Sequence, residues 1–380
     1  MAAGDHGTQL ILSRGTTKTV KFQALNFKCP NCGASTKFSP AFGKLKCDFC
    51  GSTFPIEESV EEIKEHDYSS ALEKLSQNKK ELHEKEVKCT SCGSSFELSP
   101  YSISTLCPFC GTPAIVDFVH DITPQSIIPF ILTQQKAKER FKKWVGSLWF
   151  APSALSKYFI ENKKLKGYYL PYWTYDSNTT TSYAGQRGDV YYVTVTRTVI
   201  QNGRQRNIRT QEPRIRWTPV SGRVGLSFDD VTIGATHTIS RVIIDSLAPW
   251  DTTTLKPFDE RYLSGFEAEE YTIGLDNGFE FAKAKMRSSI EQSIRRDIGG
   301  DQQQITHVDT AYNNVTYKNV LFPVWTATFE YKKKLYRYAI NAQTGKILGE
   351  HPYSYVKIAF AVLGAVVVLV AVYYLNLNGN

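Results

Sequence analysis

The chain of 380 residues has only two Met and seven His, and its first twenty residues contain no long apolar run. A secretory signal needs an uninterrupted apolar stretch of about 7–15 residues, so we expect no such signal here. The GxxxxGK[ST], HExxH and GxSxG motifs are also missing from the sequence. These absences argue against a P-loop motor and two common hydrolase classes. We predict that the protein is not an enzyme and has no small-molecule substrate.

Aromatic residues are abundant instead, at 13% of the chain, with 21 Tyr and 21 Phe. This composition favours β-rich structure in at least part of the chain. The length leaves room for two or three domains of about 100–200 residues each. The net charge of +8 is compatible with an anionic partner, but it does not choose between nucleic acid and lipid headgroups.

All eight cysteines fall in four CxxCG units, and no cysteine follows them. Fourteen residues separate the inner cysteines of each pair of units, and the second pattern is the first displaced by sixty residues. This spacing indicates an internal duplication. The candidate metal ligands are Cys29, Cys32, Cys47, Cys50, Cys89, Cys92, Cys107 and Cys110.

Two cysteines three apart in a tight turn present both sulfurs to one metal, and the following Gly supplies the unusual backbone dihedrals. Two such turns complete a closed tetrahedral site, which is structural rather than catalytic. The pattern predicts two zinc ribbons, at residues 23–56 and 87–118, each holding one structural Zn²⁺. Metal binding then supplies most of the stability of each ribbon, on the order of 10 kcal/mol.

Three other uses of the cysteines compete with zinc. Disulfides are disfavoured in a cytoplasmic segment, and a redox CxxC needs one motif before a helix rather than four in a duplicated frame. Iron in a rubredoxin-like site uses similar turns, so the ligands alone leave iron open. Whether the ribbons bind a partner or only stabilise the fold also stays open. Lys37, Lys44 and Lys46 lie in the first ribbon and no lysine lies between Cys89 and Cys110, which disfavours duplex binding by both.

The stretch Ile358–Leu375 contains eighteen residues without a charge. Its length is within the roughly 17–25 residues that a membrane-spanning helix needs, and Tyr373 and Tyr374 lie where an interfacial aromatic belt would be. We predict a transmembrane helix at 357–376 rather than a buried core segment, because the stretch is apolar on every face. Lys357 precedes it, so the positive-inside rule places residues 1–357 on the cytoplasmic side of the cell (inner) membrane, in a single-pass topology.

The residue patterns in the rest of the chain predict an α+β fold with a large β-rich region. An N-terminal segment (1–22) precedes the ribbons, a charged helical linker (57–86) separates them, and two α+β units follow at 123–275 and 276–355. Helices are expected at Gln134–Leu148 and Phe279–Ile298, each followed by a strand with Pro, any residue, Trp and Thr. We therefore expect two duplicated units, each a helix on an antiparallel sheet.

A basic hairpin is expected within the first unit. Val190–Ile200 alternates as a strand, Asn202-Gly203 is a type I′ turn signal, and a second strand follows. Its arginines exceed its acidic residues by six. These arginines either keep a solvated ribbon from aggregating or contact an anionic surface, and lipid headgroups are then the favoured target. The arginines are Arg187, Arg197, Arg204, Arg206, Arg209, Arg214, Arg216 and Arg223.

Several longer motifs carry a family resemblance. They are GYYLPYWTYD, TPVSGRV, YLSGFEAEEY, RRDIGGD and FPVWTATFEYKKKLYRYAINAQTGKILGE, placed between the double ribbon and the apolar span. In this order they resemble a bacterial family of tail-anchored double zinc-ribbon membrane proteins, often labelled "TFIIB-type zinc ribbon" or "primosomal helicase-like". Only the eight cysteines transfer as site residues, because this chain has no helicase motor. Some relatives are encoded beside phage-shock-protein-A-like and SPFH proteins, which implies a role in membrane stress.

Two functions are compatible with these features. The first is a membrane-tethered adaptor or scaffold on the cytoplasmic face, with protein partners that the resemblance suggests are SPFH or phage-shock-protein-A-like. The second is a membrane-associated zinc-ribbon protein that binds nucleic acid. Binding to nucleic acid should fall steeply with salt, because phosphate contacts release counterions. Protein partners should survive nuclease treatment.

Overall fold

The computed structural model describes residues 19–57, 62–77, 84–152, 165–201 and 204–378. Within these residues the fold is α+β and dominated by sheet, as the sequence predicts. The strands are β1 (Thr19–Gln23), β2 (Thr36–Ser39), β3 (Lys44–Cys47), β4 (Thr53–Phe54), β5 (His66–Asp67), β6 (Glu84–Lys88), β7 (Ser95–Leu98), β8 (Ser102–Leu106), β9 (Pro113–Ile115), β10 (Ser126–Ile127), β11 (Lys166–Gln201), β12 (Arg204–Gly234), β13 (Lys256–Pro257), β14 (Glu267–Glu269), β15 (Gln302–Tyr331), β16 (Lys334–Asn341) and β17 (Ile347–Gly349). The helices are α1 (Tyr68–Gln77), α2 (Gln134–Ser147), α3 (Arg241–Ser246), α4 (Leu275–Ile298) and α5 (Tyr355–Asn378), with 3-10 turns at Thr252–Thr254 and Glu260–Leu263.

Three very long antiparallel strands form the centre of the molecule. β11, β12 and β15 contain 36, 31 and 30 residues, and β11 lies between the other two. At about 3.3 Å per residue, β11 extends on the order of 110 Å. They belong to an 11-stranded sheet, while β1-β6-β7 and β2-β3-β4 form two small sheets. The surroundings of β11 change along its length: it is covered on both faces at its start, on one face in its middle, and on neither at its far end.

The base of the sheet, by which we mean residues 169–175 of β11 and the elements that pack around them, is buried on both faces. Residues 169–175 of β11 are all buried, which explains the continuous apolar run because a central strand covered on both sides has no solvent face. On one face the Tyr169 ring lies 5.0 Å from Phe130, in a cluster that includes Phe141 of α2. On the other face Tyr172 packs 4.6 Å from Phe322, in a cluster with α3.

The middle of the sheet is covered on one face only. From residue 177 to 183, β11 alternates between buried odd-numbered and exposed even-numbered positions. The long helix α4 covers the buried face, with buried residues at the spacing of an amphipathic helix. These are Leu275, Gly278, Phe279, Ala282, Met286, Ile290, Ile294 and Ile298.

The linker between the ribbons packs on this same face. Its helix α1 places Tyr68 with ring centroids 4.7 Å from Phe279, and Leu72 and Leu75 are partly buried against the same cluster. β5 pairs with β15 at Thr316 and Tyr317. The described part of the linker therefore packs against the main sheet.

The two predicted α+β units share one sheet. β11, from the first predicted unit (123–275), pairs with β15, from the second (276–355), between Lys166↔Thr326 and Gly188↔Gln302. α4 of the second unit packs on β11 and β12 of the first. In the described residues the structure does not show two duplicated units, because the long strands lie side by side and have a common core.

The C-terminal helix α5 extends beyond the sheet-rich part. Its segment Tyr355–Leu375 has 21 residues, a mean hydropathy of 2.7 and no burial against the rest of the chain. At about 1.5 Å per residue this segment is roughly 31 Å long, close to the ~30 Å hydrocarbon core of a bilayer. It is long and apolar enough to span a membrane.

Candidate metal centres and the exposed arm

Each CxxCG unit of the first ribbon folds into the same tight turn. The Gly33 N–H donates to the Cys29 carbonyl at 2.9 Å, and the Gly51 N–H donates to the Cys47 carbonyl at 3.0 Å. Both glycines have positive φ, at +73° and +76°, a conformation that a side chain disfavours. The glycine after each cysteine pair is therefore required by the turn itself.

The four sulfurs of the first ribbon converge on one point. The Cys29 and Cys50 sulfurs are 3.6 Å apart, and those of Cys32 and Cys47 are 3.5 Å apart. A tetrahedral Zn²⁺ with Zn–S bonds of about 2.3 Å places its sulfurs about 3.8 Å from one another. The chemistry and spacing of these ligands therefore fit a zinc ion.

The second ribbon repeats this geometry. The sulfurs of Cys89 and Cys110 are 3.7 Å apart, and those of Cys92 and Cys107 are 3.9 Å apart. Its glycines again have positive φ, +77° and +72°. The structure thus brings all eight predicted cysteines together as two groups of four that could hold metal ions, which is consistent with zinc.

One exposed sulfur in each ribbon is favoured as a thiolate. Hydrogen bonding from the Ser52 hydroxyl and backbone lowers the pKa of Cys50 to about 6. Ser94 acts in the same way on Cys92 and lowers its pKa to about 6. In the second ribbon, burial raises the pKa of the neighbouring Cys89 thiol to about 11, so the thiolate is favoured on Cys92 rather than on Cys89.

Both ribbons are docked on the base of the main sheet. In the first, the Phe38 N–H donates to the Ser264 carbonyl at 2.8 Å, and the Phe38 ring packs 5.2 Å from Tyr262. In the second, β8 pairs with β14 and β9, so part of the ribbon belongs to the 11-stranded sheet. The two candidate metal sites therefore lie in ribbons that pack against the base of the main sheet.

A buried ionic network connects the residues that flank the second ribbon to Glu270 of the base. The Glu270 side chain is 2% exposed and accepts hydrogen bonds from Lys85 Nζ at 3.2 Å and from the Val119 and His120 N–H groups at 2.9 and 2.8 Å. His120 Nδ1 contacts the same carboxylate. Burial alone would raise the pKa of Glu270, but these hydrogen bonds outweigh it and hold the pKa below its ordinary value. Nothing in the sequence predicts this network.

A third candidate group consists of carboxylates rather than cysteines, and it lies where the register between β11 and β12 shifts. Oxygens of Glu65, Asp176 and Asp229 lie within 4.8 Å of one another. Burial raises the pKa of Asp176 to about 6. Lys318 Nζ lies 3.0 Å from Glu65 and 2.9 Å from Asp230, so it supplies counter-charge within the group.

The far end of the long hairpin is an exposed arm, which we define as residues 191–201 and 204–214. The pairing of β15 with β11 ends at Gly188, and α4 ends at Ile298. Beyond these points, among the described residues, β11 and β12 pair only with each other. The predicted hairpin is therefore present, while its Asn202-Gly203 turn lies outside the described residues.

Most of the predicted arginines share one face of the hairpin. Paired residues on antiparallel strands point to the same side, and neighbours along a strand alternate. The register Tyr191↔Arg214, Arg197↔Ile208 and Val199↔Arg206 therefore places these arginines together. That face carries Arg187, Arg197, Arg206, Arg214 and Arg216; Arg209 and Arg223 lie on the opposite face, and the Arg204 side chain is outside the description.

Local partners neutralise only some of these charges. Arg187 pairs with Asp189 at 3.0 Å, and Arg197 pairs with Glu212. The Arg216 guanidinium lies 5.2 Å from the Tyr191 ring centroid. Arg206, Arg209 and Arg214 have no ion-pair partner within the part of the chain that is described, so the arm keeps a net positive surface.

Two exposed phenylalanines occupy equivalent positions in the ribbons, and they are not among the site residues predicted from the sequence. Phe49 and Phe109 each precede the last cysteine of their ribbon and are 84% and 69% exposed. They are sixty residues apart, which is the displacement of the duplicated cysteine pattern. That repeat is the signal that could have identified them.

No protein-family model matches the chain, and no solved structure matches it. The chain is similar to "Uncharacterized protein YdjG" of Bacillus subtilis (strain 168), with 26% identity over 342 residues. The similarity covers 88% of this chain and 92% of that protein, so it includes nearly the full length of both.

Proposed function

We propose that the protein is a non-enzymatic adaptor, anchored in the cell (inner) membrane by α5, that binds a protein partner on the cytoplasmic side. The observation that carries this proposal is the arm, a two-stranded ribbon without support from a third strand or a helix among the described residues. A two-stranded hairpin is marginally stable by itself in water, and its unpaired edges are templates for another chain. A partner that pairs with or covers the arm would satisfy both needs.

The chemistry of the arm suggests an acidic partner surface. Residues 191–214 contain five arginines and one glutamate. Tyr192 is 66% exposed in the same segment and offers an aromatic contact of the kind that is enriched in protein interfaces. Complementary charge speeds association and excludes wrong partners.

The arm and the anchor lie at opposite ends of the sheet. α5 follows β17, which pairs with β16, and β16 pairs with the end of β15 that lies beside Lys166. Arg197 is 31 residues farther along β11, a separation of about 100 Å along the strand. This separation favours a protein partner over the headgroups of the same membrane as the target of the arm, since the arm reaches those headgroups only if the sheet lies flat.

We also propose zinc rather than iron in the two ribbons, with a structural role in fixing the base. The family resemblance suggests membrane-stress assemblies, so SPFH and phage-shock-protein-A-like proteins are the first partners to examine.

Affinity capture from detergent-solubilised membranes, with and without nuclease, tests the adaptor role. We expect nuclease-resistant protein partners with the wild type and their loss when Arg197, Arg206 and Arg214 are changed to Ser. The matched control changes Arg287, Arg295 and Arg296 of α4 to Ser, which removes the same charge from another exposed surface. Equal capture by both triple variants would contradict the role of the arm.

Nucleic-acid binding is the second candidate. It is favoured by the shared face of the arginines and by Phe49 and Phe109, whose exposed rings could stack on bases. Loss of the captured material with nuclease, together with a steep decrease in binding as salt rises, would support it over the adaptor role.

A further inference from the structure

The start of the C-terminal helix is fastened to the turn that follows α2. The Ser354 N–H donates to the Phe150 carbonyl at 2.7 Å, and Lys357 Nζ donates to the Ala151 carbonyl at 2.8 Å. Lys357 is the third residue of α5. If α5 spans a membrane, residues 148–151 must therefore lie at the level where the span enters the bilayer.

Large aromatic side chains are exposed at this junction. Trp149 is 78% and Tyr355 is 85% exposed, and Phe150 and Tyr353 beside them are also exposed. A concentration of exposed apolar surface marks an interaction site. Trp and Tyr are enriched where a membrane meets water, because their rings are apolar and carry one polar atom.

The helix that leads to this turn is strongly basic on its outer side. α2 buries Ala137, Phe141 and Val145, and the Phe141 ring stacks 3.8 Å from Tyr338. Its exposed side carries five cations against the single acid Glu139. The cations are Lys136, Lys138, Arg140, Lys142 and Lys143.

We propose that α2 and the turn at 148–151 form a lipid-binding foot whose occupant is the anionic phospholipid headgroup. A group of four to eight Lys and Arg beside a membrane span is the pattern that binds anionic lipids. Trp149 and Phe150 enter the interface while the cations of α2 contact the headgroups. This contact depends on α5 spanning a membrane, and it is independent of what the arm binds.

The foot also restricts how the sheet is oriented relative to the bilayer. One hydrogen bond from Lys357 of α5, and a hydrogen bond and a ring contact from the residues just before it, connect the span to the base, which restricts rotation of the span relative to the sheet. Trp144, in the last turns of α2, lies 6.4 Å from His351, just before the span. The foot is therefore a second attachment in addition to the span.

Quenching of tryptophan fluorescence by brominated lipids tests the foot. The full chain is reconstituted into vesicles of brominated phosphatidylcholine, with or without phosphatidylglycerol. The difference between the wild type and Trp149→Phe isolates the contribution of Trp149, and because Trp149 is exposed, this substitution leaves the fold intact. We expect Trp149 to be quenched, and about twofold more strongly in the anionic vesicles.

A variant with fewer cations on α2 distinguishes binding of α2 to the headgroups from mere closeness of Trp149 to the lipid. Lys138→Ser, Lys142→Ser and Lys143→Ser together should remove the additional quenching in anionic vesicles, while Arg287→Ser, Arg295→Ser and Arg296→Ser should not. Absence of Trp149 quenching would overturn the foot, and equal quenching in both vesicles would overturn its recognition of anionic lipid. Binding of a soluble protein to α2 that displaces Trp149 from the lipid would also overturn it. None of these results would change the capture of partners by the arm.

Discussion

At the scale of single residues, a glycine sets the distance between α4 and the sheet. A Cβ atom at Gly278 would lie 2.7 Å from Cδ1 of the Trp173 ring. That ring cannot move aside easily, because its Nε1 donates to the Ile273 carbonyl at 2.9 Å. The close approach of the helix to the sheet therefore requires glycine here.

We predict that Gly278→Ala lowers the free energy of unfolding by about 1–3 kcal/mol, as overpacking of a core does. Alanine improves helix propensity by about 1 kcal/mol, but the clash with a fixed ring outweighs that gain. Gly146→Ala in α2 is the control, since its added Cβ would meet no atom within 4 Å. Chemical denaturation in detergent measures both variants, and equal stability of the two would contradict this packing.

The buried carboxylate of Glu270 gives a second prediction. Glu270→Gln should lower the free energy of unfolding by about 3–5 kcal/mol, because Lys85 is left buried without its counter-charge. The control Glu267→Gln removes a partner of the exposed Lys166 and should cost at most about 1 kcal/mol. Similar losses in both variants would show that the network contributes little.

The pH dependence follows from the same group. The pKa of Glu270 is lower in the folded chain than its ordinary value, which is about 4.3 in the unfolded chain. Its contribution is thus fully present above that ordinary pKa and is lost as pH falls through the folded pKa. Acid titration of stability should show this loss in the wild type and not in Glu270→Gln.

Residue spacing predicts some of these sites and not others. The cysteine ligands lie close in sequence, so their spacing alone identifies both groups of four. Lys85 and His120 are 185 and 150 residues from Glu270, so no local pattern connects them. Which arginines share a face depends on the register between β11 and β12, and the sequence indicates that register only close to the Asn202-Gly203 turn signal.

At the scale of elements, the two ribbons differ in how they join the fold. The strands of the first ribbon form a small sheet of their own, while β8 and β9 of the second belong to the 11-stranded sheet. Loss of metal should therefore have different consequences in the two ribbons, although their cysteine patterns are the same.

We predict that Cys92→Ser increases hydrogen exchange in β8, β9 and β14, whereas Cys32→Ser increases it mainly within residues 28–57. Mass spectrometry of the full chain in detergent measures both, and each variant should retain one metal ion in place of two. Equal hydrogen exchange of β14 in Cys32→Ser and Cys92→Ser would show that the two ribbons are docked equivalently and would contradict this prediction.

The helices were easier to predict than the length of the strands. The expected helix at Gln134–Leu148 matches α2, and the one at Phe279–Ile298 begins four residues earlier, at Leu275. The polar stretch Asp176–Gly188 contains Asn, Asp and Gly, residues that are depleted in strands. It is nevertheless strand, because β12 and β15 lie on either side and supply its hydrogen bonds.

At the scale of the whole molecule, the sequence predicts an anchor and a basic hairpin but not their separation. Their relative position depends on pairs such as Gly188↔Gln302, which are more than a hundred residues apart in the chain. Pairs of this kind also place the two predicted units in one sheet, so the structure does not show them as duplicated units. The long strands give the molecule a base that carries two candidate metal centres and adjoins the apolar helix α5, with the arm at the other end.

The most direct test of the adaptor role is photo-crosslinking in intact membranes from the arm. A photoreactive phenylalanine derivative replaces Tyr192 in the arm or, as a control, Thr180, which is exposed on the supported middle of the sheet. We expect a nuclease-resistant adduct with a second protein from position 192 and none from position 180. Adducts from position 180 alone, a nuclease-sensitive adduct at 192, or no protein adduct at 192 would contradict it.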